Sequence, residues 1–149
     1  MRISSRAIVI NGEDFLVMDR NKFGTKYLTL IGGGVDPNED PVEAVIREVK
    51  EETTLSVNNP RLVVIEDAGS VFGFHYIFLC DYRGGEVKLS PDSEEYKINK
   101  LGQNIYTPKW LKISELEESN FLPKELKYHI LEFIKNGFPE KPIKITARD

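Results

Sequence analysis

A sheet with helices laid on its faces, an α+β domain, is the fold class this sequence predicts. Three observations predict it: β-rich runs come first, one strongly amphipathic helix interrupts them, and a second helix closes the chain. Arg6–Ile10 and Phe15–Met18 are apolar, β-rich runs separated by Asn11-Gly12-Glu13-Asp14, which reads as a hairpin turn. Tyr27–Ile31 reads as a third short strand, stopped by Gly32-Gly33-Gly34. A helix is expected from Pro41 to Thr53. Val71 to Tyr82 is a long β-rich stretch in which Phe72, Phe74, Tyr76 and Phe78 alternate onto one face, and Arg83-Gly84-Gly85 ends it. Asn104–Leu111 is a further strand ahead of a short helix near Ser114–Glu118. The last helix starts at Pro123, carries Leu126, Ile130, Phe133 and Ile134 at helical spacing, and has Gly137 at its C′ position. Residues 139–149 read as a C-terminal tail.

The chain has 149 residues, enough for one domain, and 1–149 is read as a single domain. Hydrophobic residues make up 40% and charged residues 30%, which excludes a disordered or fibrous chain. Lys+Arg is 20 against 24 for Asp+Glu, a net charge of −4, which argues against gripping a nucleic-acid polymer through a broad basic face. A small anion needs only a few local donors or a metal. Cys80 is the sole cysteine, so neither an internal disulfide nor a cysteine zinc site is available. The apolar run Ala7–Ile10 is too short for a signal-peptide core, and no segment approaches a membrane span. The expectation is a soluble chain, without membrane partners, in a reducing cytoplasmic setting.

The helix at Pro41 carries the chemistry. Asp40-Pro41-Val42-Glu43 is a full start signal: Asp40 caps, Pro41 suits the first turn, and Glu43 reaches back as in a capping box. Projected at about 100° per residue with Glu48 at zero, Val45, Val49, Val42, Thr53 and Ile46 span about 60° to 160°, one core-facing stripe. Glu51, Glu48 and Glu52 fall at about −60°, 0° and +40°, an arc beside that stripe. An acidic helix is ordinarily a solvated face. Here Glu48 and Glu52 repel at i,i+4, Glu51 adds to the repulsion, and all three sit toward the helix end that disfavours anions. A bound cation would offset these penalties, and oxygen-only ligands select a hard metal, Mg²⁺ or Mn²⁺. Upstream, Gly32-Gly33-Gly34 lets backbone approach a ligand closely, yet its context is neither a P-loop nor a dinucleotide fingerprint.

Together these residues resemble the signature of the Nudix hydrolases, G-x5-E-x7-R-E-U-x-E-E-x-G-U with U bulky and apolar. Gly33, Glu39, Arg47-Glu48-Val49, Glu51-Glu52 and Leu55 match; Thr54 stands where the family has glycine, so eight of nine specified positions agree within 23 residues. A softer departure is Ile31, where relatives often have proline. The resemblance implies an α/β/α sandwich, a mixed β-sheet flanked by helices, with the motif as a loop–helix–loop. It implies metal-dependent cleavage of the pyrophosphate of a nucleoside diphosphate linked to another group, an ADP-ribose-like nucleotide sugar or a (d)NTP, releasing a nucleoside monophosphate. By the same resemblance Glu48 and Glu52 are the main metal ligands, Glu51 is a further ligand or the base, and a carbonyl of Gly32 or Gly33 joins them. Arg47 would orient a glutamate, being at i,i+4 from Glu51, and Glu39 would be a supporting loop residue. Thr54 either accepts a left-handed conformation, at ~1–2 kcal/mol, or the helix ends a residue differently.

Other residues carry plainer readings. His75 is expected to be a satisfied structural histidine, His129 a surface one, and Cys80 core packing. Phe72, Phe74 and Tyr76 suit a core strand better than base stacking. Glu94 and Glu95 follow Ser90-Pro91-Asp92-Ser93 in what reads as a solvated loop, although family members often draw an extra carboxylate from this region. A competing reading from another class is a Nudix-fold module that binds a nucleotide as a sensor without turnover. A hydrolase of RNA ends would call for a basic accessory region. The partner expected is therefore a small nucleotide, with the protein a monomer or homodimer.

Overall fold

The computed structural model describes residues 2–146. Strands β1 (Ile3–Asn11) and β2 (Asp14–Lys22) form the expected hairpin, but their direct pairing is limited to Ile10 with Phe15 and Asn11 with Asp14. Beyond those pairs the strands diverge. β2 continues between β3 (Thr25–Thr29) and β7 (Asn104–Lys112), antiparallel to both. β1 continues between β4 (Ile31–Gly34), antiparallel, and β6 (Phe74–Gly84), parallel. Beyond β6 lie β5 (Ser56–Asp67) and then β8 (Ile143–Thr146), parallel to β5. The sheet is therefore mixed, as expected.

Helix α1 (Pro41–Thr53) packs on one side of this sheet and α5 (Lys124–Asn136) on the other. Alternation along β1 and β2 fills both cores. Ala7, Val9, Leu16 and Met18 join Val45 and Val49 of α1, while Ile8, Phe15 and Val17 join Leu126 and Ile130 of α5. Burial on both faces is why these strands read as continuous apolar runs. Cys80 lies buried in the α1-side core, as expected. Among the described residues no helix is long and apolar enough to cross a membrane.

Several elements differ from the sequence reading. Gly32–Gly34 do not stop a strand; they form β4, paired with Ser4, Ser5 and Arg6. Val71 and Phe72 are not strand residues, because a short helical turn, α2 (Gly69–Phe72), precedes β6, and Phe72 is exposed and off the aromatic face. β5 was not anticipated: Asn58-Asn59-Pro60 resembles a turn, and register shifts along the strand break its alternation. Glu94 and Glu95 lie in a third short helix, α3 (Glu94–Asn99), capped by Ser93, whose hydroxyl accepts from the Tyr96 N–H at 3.1 Å. α4 (Ile113–Leu116) begins one residue earlier than expected. The tail contains β8, and Ala147 to Asp149 lie outside the described residues. His129 is only partly exposed, against Tyr128 and Phe133.

Candidate active site

α1 starts as its sequence dictates. The Asp40 carboxylate accepts from the Val42 N–H at 2.8 Å, and Glu43 Oε1 accepts from the Asp40 N–H at 3.2 Å. Its buried arc, however, is rotated from the predicted stripe. Val42 and Ile46 are more than a third exposed, while Ala44, Glu48 and Glu52 are buried with Val45, Val49 and Thr53. The glutamates therefore do not flank the core-facing side; two of them belong to it. Glu48 is 8% exposed and Glu52 3%, whereas the Glu51 side chain is 44% exposed.

The glycine strand makes this burial possible. A Cβ on Gly33 would stand 2.7 Å from Glu48 Oε2, so the missing side chain is the space the carboxylate occupies. Gly32 has φ +151°, and a Cβ there would collide with the Ser5 carbonyl of β1. Its own carbonyl accepts from Arg6 Nη1 at 3.4 Å.

Arg47 organises the charges above this strand. Nε and Nη2 donate to the two oxygens of Glu39 at 2.8 and 2.9 Å, a fork-to-fork pair. Nη1 donates to Glu48 Oε1 at 3.0 Å and Glu51 Oε2 at 3.1 Å, and Nη2 also reaches the Gly34 carbonyl at 3.2 Å. Glu51 is thus one partner of Arg47, as expected from spacing, but Glu39 holds it with two bonds. Hydrogen bonds from Arg47, then from the Asp36 N–H, bring the Glu39 carboxyl down to about 2. The guanidinium is correspondingly pushed up, chiefly by its bond to Glu39.

Glu52 has the opposite environment. Burial, then contact with the Glu48 carboxyl, then the charge of Glu95 raise its pKa well above the ordinary carboxylate range, against a lowering pull from Arg6. Its Oε2 is buried and has no hydrogen-bond partner. Glu95 is raised as well, first by burial and further by the charges of Glu48, Glu51 and Glu94. Sequence reasoning placed Glu95 in a solvated loop; the Ser93 cap that turns this segment into a helix was the available signal.

A cation suits this donor set: an orphaned carboxylate oxygen, like charges crowded at Glu48, Glu52 and Glu95, and oxygen ligands throughout. Among the described residues, no three carboxylate, histidine or cysteine groups form a ready-made metal cage. Arg47 is the physical reason on its side, since it draws Glu48 and Glu51 toward itself. His75, read as structural, pairs through Nδ1 with Glu66 Oε1 at 2.8 Å. The pair lies on the walls of a cavity that sequence reasoning missed, together with Arg6 and Arg20.

Residues 1–135 match the NUDIX domain family model. The chain is 31% identical over 100 residues to an NAD-capped RNA hydrolase, NudC, of Pseudomonas entomophila, covering 63% of this chain and 35% of that protein. The protein of the same name from Pectobacterium atrosepticum is 30% identical over 96 residues, covering 62% of this chain and 37% of its own length. The chain thus spans little more than a third of these relatives. In structure it is similar to a Nudix hydrolase from Nitrosomonas europaea, with a TM-score of 0.75 and 14% identity over 99% of this chain and 79% of that one. It is also similar to an ADP-ribose pyrophosphatase from Streptococcus suis, with a TM-score of 0.67 and 20% identity over 98% of both chains. These likenesses carry the fold, and the family match over residues 1–135 carries the membership: the chain belongs to the Nudix family.

Proposed function

We propose that the protein is a divalent-metal-dependent pyrophosphohydrolase acting on a nucleoside diphosphate linked to another group. The observation that carries this reading is Glu52, a buried carboxyl with an unpartnered oxygen, beside Glu48 and within the field of Glu95. Burying like-charged carboxylates together is costly unless a cation joins them. Glu48 and Glu52 would hold Mg²⁺ or Mn²⁺, with Glu95 and Glu51 at the open side and the Gly32 carbonyl near Arg6. When bound, the metal neutralises the phosphates and lowers the pKa of water. Arg47 holds Glu51 by one hydrogen bond and leaves its side chain 44% exposed, which suits a base that takes a proton from attacking water.

The motif offers no serine or cysteine nucleophile, so water attacks one phosphorus directly and the bridging oxygen leaves with the other phosphate. The family's named members support the chemistry: an ADP-ribose pyrophosphatase and a UDP-X diphosphatase share the fold, and NAD-capped RNA hydrolases share sequence. A net charge of −4 favours a small nucleotide over an RNA polymer. The same reading places the protein in the cytoplasm, where its free thiol and its substrates belong together.

A panel of ADP-ribose, nucleotide sugars, dinucleoside polyphosphates and (d)NTPs with Mg²⁺ in ¹⁸O-water tests the reading. A nucleoside monophosphate should appear, with label in one phosphate product. Tight nucleotide binding without turnover would establish the sensor instead, and a trapped nucleotidyl-enzyme would overturn direct attack by water.

A further inference from the structure

The cavity of about 420 Å³ opens between the sheet and the start of α5, with walls from β1, β2, β3, β5 and β6. Three wall residues each keep a buried polar atom without a hydrogen-bond partner: Arg6 Nε, Arg20 Nε and Glu66 Oε2. Buried polar atoms are nearly always satisfied, so three orphans around one cavity point to a ligand that supplies the partners. Arg6 shows where the cavity leads, since its Nη1 reaches the Gly32 carbonyl beside the glycine that seats Glu48.

These groups are held before any ligand arrives. Arg20 lies 3.7 Å over the Tyr106 ring and donates from Nη2 to Asn104 Oδ1 at 2.8 Å. Glu66 stands directly opposite His75 in the β5–β6 register, is 1% exposed, and has Oε1 engaged by His75 Nδ1. Oε2 is left as an acceptor that cannot rotate away. The same cavity has aromatic and apolar walls at Tyr27, Phe72, Leu30 and Ile77 and polar ones at Arg6, Arg20, Thr25 and Thr29. A nucleobase offers ring-nitrogen or carbonyl acceptors to the Arg6 and Arg20 Nε–H groups and an amino donor to Glu66 Oε2. A flat ring needs faces to rest on and a partner at one edge.

We propose that Glu66, fixed by His75, is the specificity residue of this cavity and accepts a hydrogen bond from the amino group of a nucleobase. The inference rests on the pyrophosphohydrolase reading and deepens it: the substrate is a nucleoside diphosphate derivative whose base carries an amino group.

Matched nucleosides test it without phosphate or metal. Guanosine and adenosine against inosine, and cytidine against uridine, are titrated by NMR, and kcat/KM is measured for the corresponding nucleoside diphosphate riboses. In at least one pair the amino member should be favoured ~10-fold or more, as expected for a hydrogen bond to a buried acceptor otherwise left unpaired. That ratio should collapse toward unity in Glu66→Met, and Glu66→Gln, which keeps one acceptor oxygen, should be intermediate. Ratios near unity in every wild-type pair, or a preference that survives Glu66→Met, overturn the proposal, as does discrimination that follows the ribose hydroxyls in deoxynucleosides. Should Glu66→Met fail to fold, the wild-type ratios and the response of the His75 ring resonances decide. Nucleosides that bind with the expected ratio while no diphosphate is hydrolysed would sink the pyrophosphohydrolase reading and leave Glu66 as the base-reading residue.

Discussion

On the α1 side of the sheet Arg47 makes five hydrogen bonds and ties Glu39, Glu48 and Glu51 into one network, leaving Glu52 Oε2 as the orphan. Around the cavity at the start of α5, Arg6, Arg20 and Glu66 each keep a buried polar atom without a partner. The first arrangement is held by the protein's own pairs, with one carboxyl oxygen unpaired. The second finds no partners for these atoms within the protein's own side chains. The contrast separates two tasks: groups that do chemistry are oriented in advance by neighbours, and groups that recognise a molecule keep their valence for it.

The largest expected effect comes from the orphan on the α1 side. Glu52→Gln keeps the shape and removes the charge, so turnover with Mg²⁺ should fall by more than the ~10–100-fold that loss of an outer partner costs. The melting temperature should hold or rise, because the folded protein no longer buries an ionisable group that resists its charge. Steady-state kinetics and a thermal melt measure the two together. Near wild-type turnover in this variant and in Glu48→Gln would break the division of labour between the two sides.

Arg47 comes next. Arg47→Ala should reduce activity ~10–100-fold, with the loss appearing as a shifted metal titration. Arg47→Lys should rescue little, because an ammonium cannot make the two-oxygen bond to Glu39 while reaching Glu48 and Glu51. Full activity in the lysine variant would mean that only the charge matters and that the network does not orient the glutamates.

What the sequence disclosed follows the same contrast. α1 was read to its terminal residues, Pro41 and Thr53, because capping by Asp40 and Glu43 is local. The motif glutamates were legible within 23 residues. Their burial was not: the stripe of Val42 and Ile46 looked core-facing, and only the close approach of β4 at Gly33 turns the helix toward Glu48 and Glu52. The cavity was invisible because its residues come from five strands and from α5. Glu66 meets His75 through the register of β5, a strand hidden by Asn58-Asn59-Pro60 and its bulges. A glutamate ending the apolar run Leu62–Ile65 was the available signal.

A third effect is a pH dependence. Burial raises the Glu52 carboxyl above 4.5, so the folded, metal-free protein keeps this proton to higher pH than the unfolded chain does. That contribution to stability is full below the unfolded value and is lost as pH rises through the folded one. A cation requires the ionised form, so its affinity should rise with pH above 4.5, by up to ~10-fold per unit for one released proton. Mg²⁺ titration calorimetry in buffers of different ionisation enthalpy measures both affinity and proton release. Glu52→Gln should flatten the slope; a slope unchanged in that variant would assign the proton to another group.

The smallest effect tests how the α1 side closes at its departure from the motif. Thr54 adopts φ 62°, ψ 2°, the left-handed conformation in which glycine serves the family, at a cost of ~1–2 kcal/mol for a β-branched residue. The helix therefore ends where the motif predicts, and the strain is accepted. Its N–H donates to the Lys50 carbonyl at 2.9 Å, as any residue's would, but its hydroxyl donates to the Glu86 carbonyl at 2.6 Å, a bond glycine cannot make. Thr54→Ala keeps the unfavourable backbone and loses that bond, so it should be less stable by ~0.5–1 kcal/mol. Thr54→Gly loses the strain and the bond together and adds freedom to the unfolded chain, so it should fall within ~1 kcal/mol of the parent. Urea midpoints of the three proteins order them, with alanine lowest. An alanine variant as stable as the parent would show that the Glu86 bond carries no weight, and that this helix end is held by local geometry alone.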